Sequence, residues 1–322
     1  MKAAVYDQNG PPSVFRYEEV PDPTCAPDAV VIEVRAISIE GGDVLHRARG
    51  PLASRPHIVG YQCAGVVREV GEEVDDRRPG DRVVAVMTHG SHAERVAVQA
   101  GATWVLPEGL DFERGACVPI AVGTADDCLF EFGHLVAGET VLVQAGAGGV
   151  GMAAIQLAKR AGATVLATAS SQEKLERLRE LGLDHGIDYT KQDFVAETRR
   201  LTKGLGAQLV VDSVGGRTLR GSFDAAGYRG RIITVGSSAR EADSVDVSVL
   251  RGGNKSLTGV FFGAELLFHT TRVKPMVDRH LHAVAKGDLR IVIDRSWPLA
   301  EAADAHAYIE SRRAFGRVLL VP

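Results

Sequence analysis

The stretch that most limits how this chain can fold is Thr140–Gly151, reading Thr-Val-Leu-Val-Gln-Ala-Gly-Ala-Gly-Gly-Val-Gly. Val141, Leu142 and Val143 make an apolar run rich in β-branched residues, which predicts a buried strand. Gly146, Gly148 and Gly151 place a G-x-G-x-x-G turn directly behind it. Ile155, Leu157, Ala158 and Ala161 then fall at helical spacing over Met152–Ala161. The glycines serve a tight turn, a close backbone approach to a pyrophosphate, and close packing of helix on strand. The N-terminus of the following helix adds N–H groups and the positive end of a dipole. A purely structural turn is the bland alternative. Strand, turn and helix in this order point instead to a dinucleotide site made by Gly146, Gly148, Gly149, Val150 and Gly151.

The rest of the composition removes other function classes. With 322 residues, 45% hydrophobic and 24% charged, the chain reads as a soluble globular protein of two domains. A net charge of −4 gives no basic footprint for nucleic acid. Met1–Val5 runs straight into an expected strand and no run approaches a membrane span, so no leader, no membrane partner and a cytoplasmic location are expected. Cys25, Cys63, Cys117 and Cys128 contain no C-x-x-C pair, so they are read as packing thiols.

Residues 1 to about 120 carry short apolar runs at Ala3–Tyr6, Val30–Ala36, Ala64–Val70 and Arg82–Val86 between Gly, Pro and Asp turns, which predicts a β-rich region. From Thr124, helix-length segments alternate with strands at Val165–Thr168, Leu209–Asp212 and Arg231–Val235, the pattern of a parallel sheet covered on both faces. Gln172–Leu181 reads as a sheet-covering helix capped by Ser170 or Ser171. A long helix at Ala264–Lys286, a strand at Arg290–Ile293, a helix at Ala300–Ser311 and a strand at Arg317–Val321 complete the expected order.

The glycine turn, Met1-Lys2-Ala3, Gly65-Val66-Val67, Pro79-Gly80-Asp81-Arg82-Val83, Gly90–Glu94, Gly123-Thr124-Ala125, Asp212–Gly216 and Gly316-Arg317-Val318 together resemble the medium-chain dehydrogenases/reductases. The branch they resemble is that of the zinc-free, zeta-crystallin-like quinone oxidoreductases. The resemblance implies an α/β architecture: a Rossmann doubly wound parallel sheet domain, residues 122–256, inserted in a GroES-like β-rich catalytic domain made of residues 1–121 and 257–322. It also implies an active site in the cleft between them, a small-molecule substrate, and a homodimer or tetramer pairing near Leu257–Phe262. Thr124 and Gly236 join the cofactor residues by the same resemblance.

Cofactor choice can be argued from charge. An acid about 20 residues beyond the turn would bind a ribose 2′-OH and repel a 2′-phosphate. This chain has Thr168-Ala169-Ser170-Ser171 there, followed by Lys174, and Tyr189 where similar reductases place a ring. Lys174 alone would be an ordinary solvated helix residue; the missing acid points to NADPH. Zinc-dependent relatives carry Cys-x-x-Asp, Gly-His-Glu and a later Cys, where this sequence has Glu40-Gly41-Gly42-Asp43, Gly60-Tyr61-Gln62 and Ile120. Isoleucine cannot coordinate and a catalytic zinc needs three protein ligands, so no metal is expected. The expected chemistry is hydride delivery to a quinone, enone or enoyl acceptor, with Glu40, Asp43 and Tyr61 as the catalytic candidates. Glu40 anchored by Arg47 or a backbone turn is an equally good reading. Two alternatives stay open: a dedicated biosynthetic enzyme with an altered Glu40/Tyr61 site, even one with no net redox change, and an NADPH-binding protein without catalysis. Asp126 and Asp127 read as helix-start acids, His92 as a wall residue near the cleft, His46 as a residue at the surface or supporting the site, and Phe261, Phe262 and Phe268 as an apolar cluster of core and subunit interface, with Phe262 also able to line a pocket.

Overall fold

The computed structural model describes residues 1–242 and 246–322. The apolar run at Thr140–Val143 forms the strand the sequence predicts, and it pairs on both sides with parallel neighbours. Around it lies a six-stranded parallel sheet in the order His185–Asp188, Thr164–Ala169, Thr140–Val143, Ala207–Asp212, Ala226–Thr234, Ser256–Gly259. Strand order reverses between Thr140–Val143 and Ala207–Asp212, the switch point where sheets of this kind take their ligands. Leu142, Leu166, Val210 and Ile232 from the strands pack with Leu219 and Phe223 of the Gly216–Ala225 helix, all buried. The glycine turn opens the Gly149–Arg160 helix, whose Met152–Ala158 stretch is buried without interruption.

The chain divides into two compact units, Met1–Ile120 with His269–Pro322, and Ala121–Phe268. The boundary expected at 256/257 falls inside the Ser256–Gly259 strand. That strand pairs with Arg231–Thr234 and so belongs to the parallel sheet, which moves the second crossing to 268/269.

The other unit is built on Ala29–Ser38, a strand buried along most of its length because it pairs with Gln62–Val70, Arg95–Gln99 and Leu319–Leu320. Its sheet runs Ile293–Pro298, Arg317–Val321, Ala29–Ser38, Gln62–Val70, Arg82–Val86, Thr103–Val105. Val30, Ile32, Val34, Val67, Val83 and Leu320 form its core. A three-stranded sheet of Arg16–Glu19, Lys2–Tyr6 and His57–Ile58 completes the unit. Both ends of the chain therefore make one β-rich, GroES-like body, and the Rossmann sheet is the insertion.

Several local expectations change. The helix expected over Ala264–Lys286 is two helices, Phe262–Phe268 and Thr270–Ala285, because His269 leaves the helical region at φ −128, ψ 39. The strand expected at Arg290–Ile293 is Ile293–Pro298, since the ladder is set by parallel pairing to Arg317–Val321. Asp126 and Asp127 do not open a helix. The helix begins at Pro119, a residue whose fixed φ suits a first turn, and the two acids mark its passage into a π-turn at Asp127–Glu131. Among the described residues no helix is long and apolar enough to cross a membrane.

Candidate active site

In the β-rich unit the structure brings Glu40, Asp43 and Tyr61 together. Glu40 precedes the Gly41–Arg49 helix, and Asp43 on its first turn reaches back so that Oδ2 accepts the Glu40 N–H at 2.8 Å. Both carboxylates are buried, Glu40 at 4% exposure and Asp43 at 0%. Tyr61 enters from a tight turn. Gly60 lies at φ +101, and a Cβ there would meet His92 Nδ1 and Ser91 Oγ at 2.1 Å, so only glycine can precede the tyrosine. The Tyr61 hydroxyl then stands over Gly42, 2.1 Å from where a Cβ would be.

Glu40 has a partner that sequence reasoning did not name. Arg317, on the last strand, forms a buried ion pair with Glu40 Oε1, and Gln62 donates its amide to the same oxygen. The Arg317 guanidinium also donates to Ser38 Oγ at 2.6 Å and to the Ile39 carbonyl at 2.9 Å. Arg47, the anchor the sequence suggested, instead pairs with Glu310 and donates to the Gly10 carbonyl at 3.0 Å. The signal for Arg317 was the Gly316-Arg317-Val318 motif, but nothing in its spacing points at residue 40.

Burial raises the pKa of Glu40, and the Arg317 charge pulls against it. Asp43 stands well above the usual carboxylate range, chiefly through burial, with the Glu40 charge adding to it and the Glu40 N–H opposing. Its Oδ1 has no hydrogen-bond partner among the described residues. Tyr61 is likewise raised well above 10, first by burial, then by Asp43 and Glu40; Arg317 and the Gly42 backbone oppose. The phenol therefore keeps its proton at neutral pH. Nearby, the Cys117 thiol is pushed up to about 11 by burial, so it is no nucleophile. Cys63 is buried with its thiol pushed up to about 12, as a packing residue.

Ile120 lies at the same end of the unit, its N–H donated to Gln62 Oε1 at 3.2 Å. Among the described residues no three His, Cys, Asp or Glu side chains gather in a way that could hold a metal ion. His92 is not a wall residue: it is fully buried, with Nε2 3.1 Å from His306 Nε2. His46 is partly buried and stacks on His57 at 5.3 Å.

In the Rossmann unit the expected cofactor residues sit at the carboxyl ends of the sheet. Gly146 packs so closely that a Cβ would come within 2.9 Å of Ala167, and at Gly151 one would meet the Ala145 carbonyl at 2.5 Å. Gly148 differs: it is exposed, and a Cβ would find only the Ala145 oxygen at 3.4 Å. Gly148 is thus the open position of the three, and the first N–H groups of Gly149, Val150 and Gly151 have no carbonyl behind them within the helix. Ser171 caps the Gln172–Arg179 helix, its Oγ accepting the Lys174 N–H at 3.3 Å. Ala169 is in register with Asp188, which sets Ser170 and Ser171 beside half-exposed Tyr189. Gly236 lies against the Ser213 backbone, and Thr124 is buried in the Pro119–Asp126 helix. Of the three phenylalanines only Phe262 is buried, its ring against Gly123; Phe261 and Phe268 are about three-quarters exposed at 75% and 74%.

Known proteins match along the whole chain. Residues 26–145 fit the family model described as an alcohol dehydrogenase GroES-like domain, and residues 149–281 the one described as a zinc-binding dehydrogenase. A 2-haloacrylate reductase from Burkholderia is 33% identical over 99% of this chain and 98% of its own length. A quinone oxidoreductase from Pseudomonas aeruginosa is 32% identical over 97% of both. The structure of Escherichia coli quinone oxidoreductase complexed with NADPH superposes with a TM-score of 0.96 at 27% identity, covering 100% of each chain.

Proposed function

The chain belongs to the medium-chain dehydrogenase/reductase superfamily, in its quinone oxidoreductase branch, and from that premise we propose an NADPH-dependent oxidoreductase that reduces a quinone or a double bond conjugated to a carbonyl, without zinc. The turn at Gly146–Gly151 receives the pyrophosphate, while Ser170, Ser171, Lys174 and Tyr189 receive the 2′-phosphate, with no acid at the strand end to repel it. When bound, NADPH supplies the hydride.

The observation that carries the reading is the Glu40–Arg317 pair. At the position of a metal ligand in zinc-containing cousins, the carboxylate is already neutralised by a guanidinium, and Tyr61 with Gln62, and Ile120, occupy the companion positions. This donor set does not fit zinc. Charge that gathers on an acceptor's carbonyl oxygen therefore needs another stabiliser, and Tyr61 is a phenol kept protonated by its surroundings. Tyr61 Oη donates to the developing oxyanion, and Asp43, held toward its protonated form, is the nearby proton store. Relatives named for quinone and for 2-haloacrylate, an electron-poor double bond, support this class of acceptor. Exposed Phe261, Leu267 and Phe268, which follow the edge strand Ser256–Gly259 in the chain, support a homodimer formed near that edge.

The test is an absorbance assay of NADPH and NADH against quinones, enones, enoyl thioesters and 2-haloacrylate, with metal analysis of the purified protein. NADPH should be preferred and zinc should be absent at stoichiometric level. Tyr61→Phe should lower kcat about 10²-fold, the usual cost of one oxyanion donor, without moving NADPH affinity. Full activity of Tyr61→Phe against every acceptor would remove the proposed role.

A further inference from the structure

Beneath the glycine turn runs a buried chain of polar side chains that the hydride-transfer reading does not use. The Ala145 N–H donates to Thr168 Oγ1 at 3.1 Å, and that hydroxyl donates to Gln144 Oε1 at 2.8 Å. The Gln144 amide donates to Ser222 Oγ at 3.3 Å, and Ser222 donates to Asp212 Oδ2 at 2.7 Å. Asp212 Oδ1 then accepts the N–H groups of Val214 and Gly215, each at 2.9 Å. Gln144 and Thr168 are 2% exposed, Asp212 and Ser222 0%.

Three features give this chain a direction and a purpose. Every hydroxyl in it accepts once and donates once, so the proton order runs one way, from the Ala145 backbone to the Asp212 carboxylate. Its two ends hold different loops, the glycine turn after Thr140–Val143 and the loop after Ala207–Asp212, which flank the point where strand order reverses. At the turn end it holds Ala145 at φ +53, a left-handed conformation that alanine rarely adopts without support. Main-chain bonds reinforce the same place, with Gly146 N–H on the Thr168 carbonyl at 2.8 Å.

We infer that Thr168, Gln144, Ser222 and Asp212 are positioning residues that hold the glycine turn in its pyrophosphate-accepting shape, so that cofactor affinity depends on Ser222, a residue that reaches the turn only through Gln144 and Thr168. This rests on the reading of the turn as the NADPH site.

The test measures binding of NADPH and of adenosine 2′-phosphate, which carries the ribose phosphate but no pyrophosphate, to wild type, Ser222→Ala, Thr168→Val and Thr168→Ser by calorimetry. Ser222→Ala and Thr168→Val should each weaken NADPH about tenfold, the usual worth of one buried hydrogen bond to a charge-linked network. Thr168→Ser should restore it, and adenosine 2′-phosphate should bind all four proteins alike. The double variant Thr168→Val/Ser222→Ala should be no weaker than the worse single, because both break one chain. Unchanged NADPH affinity in Ser222→Ala, or equal weakening of both ligands, overturns the inference. If Thr168→Val does not fold, Ser222→Ala decides alone. A wild type that binds neither ligand overturns the cofactor reading instead.

Discussion

Arg317 decides what Glu40 is. A carboxylate and a guanidinium removed from water lose hydration worth more than their attraction unless other groups complete the shell, and here Gln62, Ser38 and the Ile39 carbonyl do so. Removing one partner leaves the other charge buried and unmatched. Glu40→Gln should therefore cost about 3–5 kcal/mol, read from the urea midpoint, while Glu40→Gln with Arg317→Met should recover part of that loss. A shift below about 1 kcal/mol for the single change would mean that water, not Glu40, satisfies the guanidinium. Glu40, Asp43 and Tyr61 could be grouped from the sequence because they align with the metal-ligand segments of zinc-dependent relatives, although the residues at 40 and 61 differ from the motif. Arg317 was not, since its contact with Glu40 spans 277 positions and joins the two ends of the chain. Arg47 was the nearer cation in sequence, yet on its helix it pairs with Glu310.

The glycine turn was legible at the level of the element because strand, turn and helix signals agree over twelve adjacent positions, Thr140–Gly151. Sequence alone could not say which glycine serves packing and which serves the ligand, because that depends on what stands opposite each one. The structure separates the close-packed glycines, Gly146 and Gly151, from the open one, Gly148. Gly151→Ala drives a methyl to 2.5 Å from the Ala145 carbonyl, a backbone atom that cannot move aside, so it should lower the melting temperature and weaken NADPH together. Gly148→Ala meets that oxygen at 3.4 Å, so the melting temperature should hold while NADPH affinity falls, because the added methyl stands only in the path of the phosphate. Equal melting temperatures for the two variants would remove the distinction. The reading of Asp126 and Asp127 as helix-start acids failed for a related reason. A helix start is set by the first residue that turns, here Pro119, and two acids later in the run carry no record of that.

At the scale of the whole molecule, the two-domain plan was legible from the change of pattern near Thr124, and the parallel sheet from alternation of strand and helix. Contacts between distant segments of the β-rich unit were not, and the His92–His306 pair is one of them, 214 positions apart. One ring must donate and the other accept, so the two cannot both be charged, and burial disfavours a charge on either. Burial drives His92 down to about 3 from its ordinary 6.5, and drives His306 well below 6.5, with His92 and Arg47 adding to the effect. The consequence for stability has a definite sign. Above pH 6.5 neither state binds the protons; below it the unfolded chain takes them up, while folded His92 refuses its proton until about pH 3 and folded His306 resists in the same direction, so stability falls as pH falls below 6.5. Glu40 and Asp43 act oppositely, because their raised values make the folded chain the better proton binder above the ordinary carboxylate range. Comparison with a variant cancels them. His92→Gln can still hydrogen-bond His306 but cannot titrate, so it should lose less stability than wild type between pH 7 and 4.5, by up to about 1.4 kcal/mol per pH unit for one proton. Urea unfolding of both proteins across that range checks it, and parallel pH profiles would show that His92 takes up its proton in the folded state, which burial against His306 and Phe15 forbids.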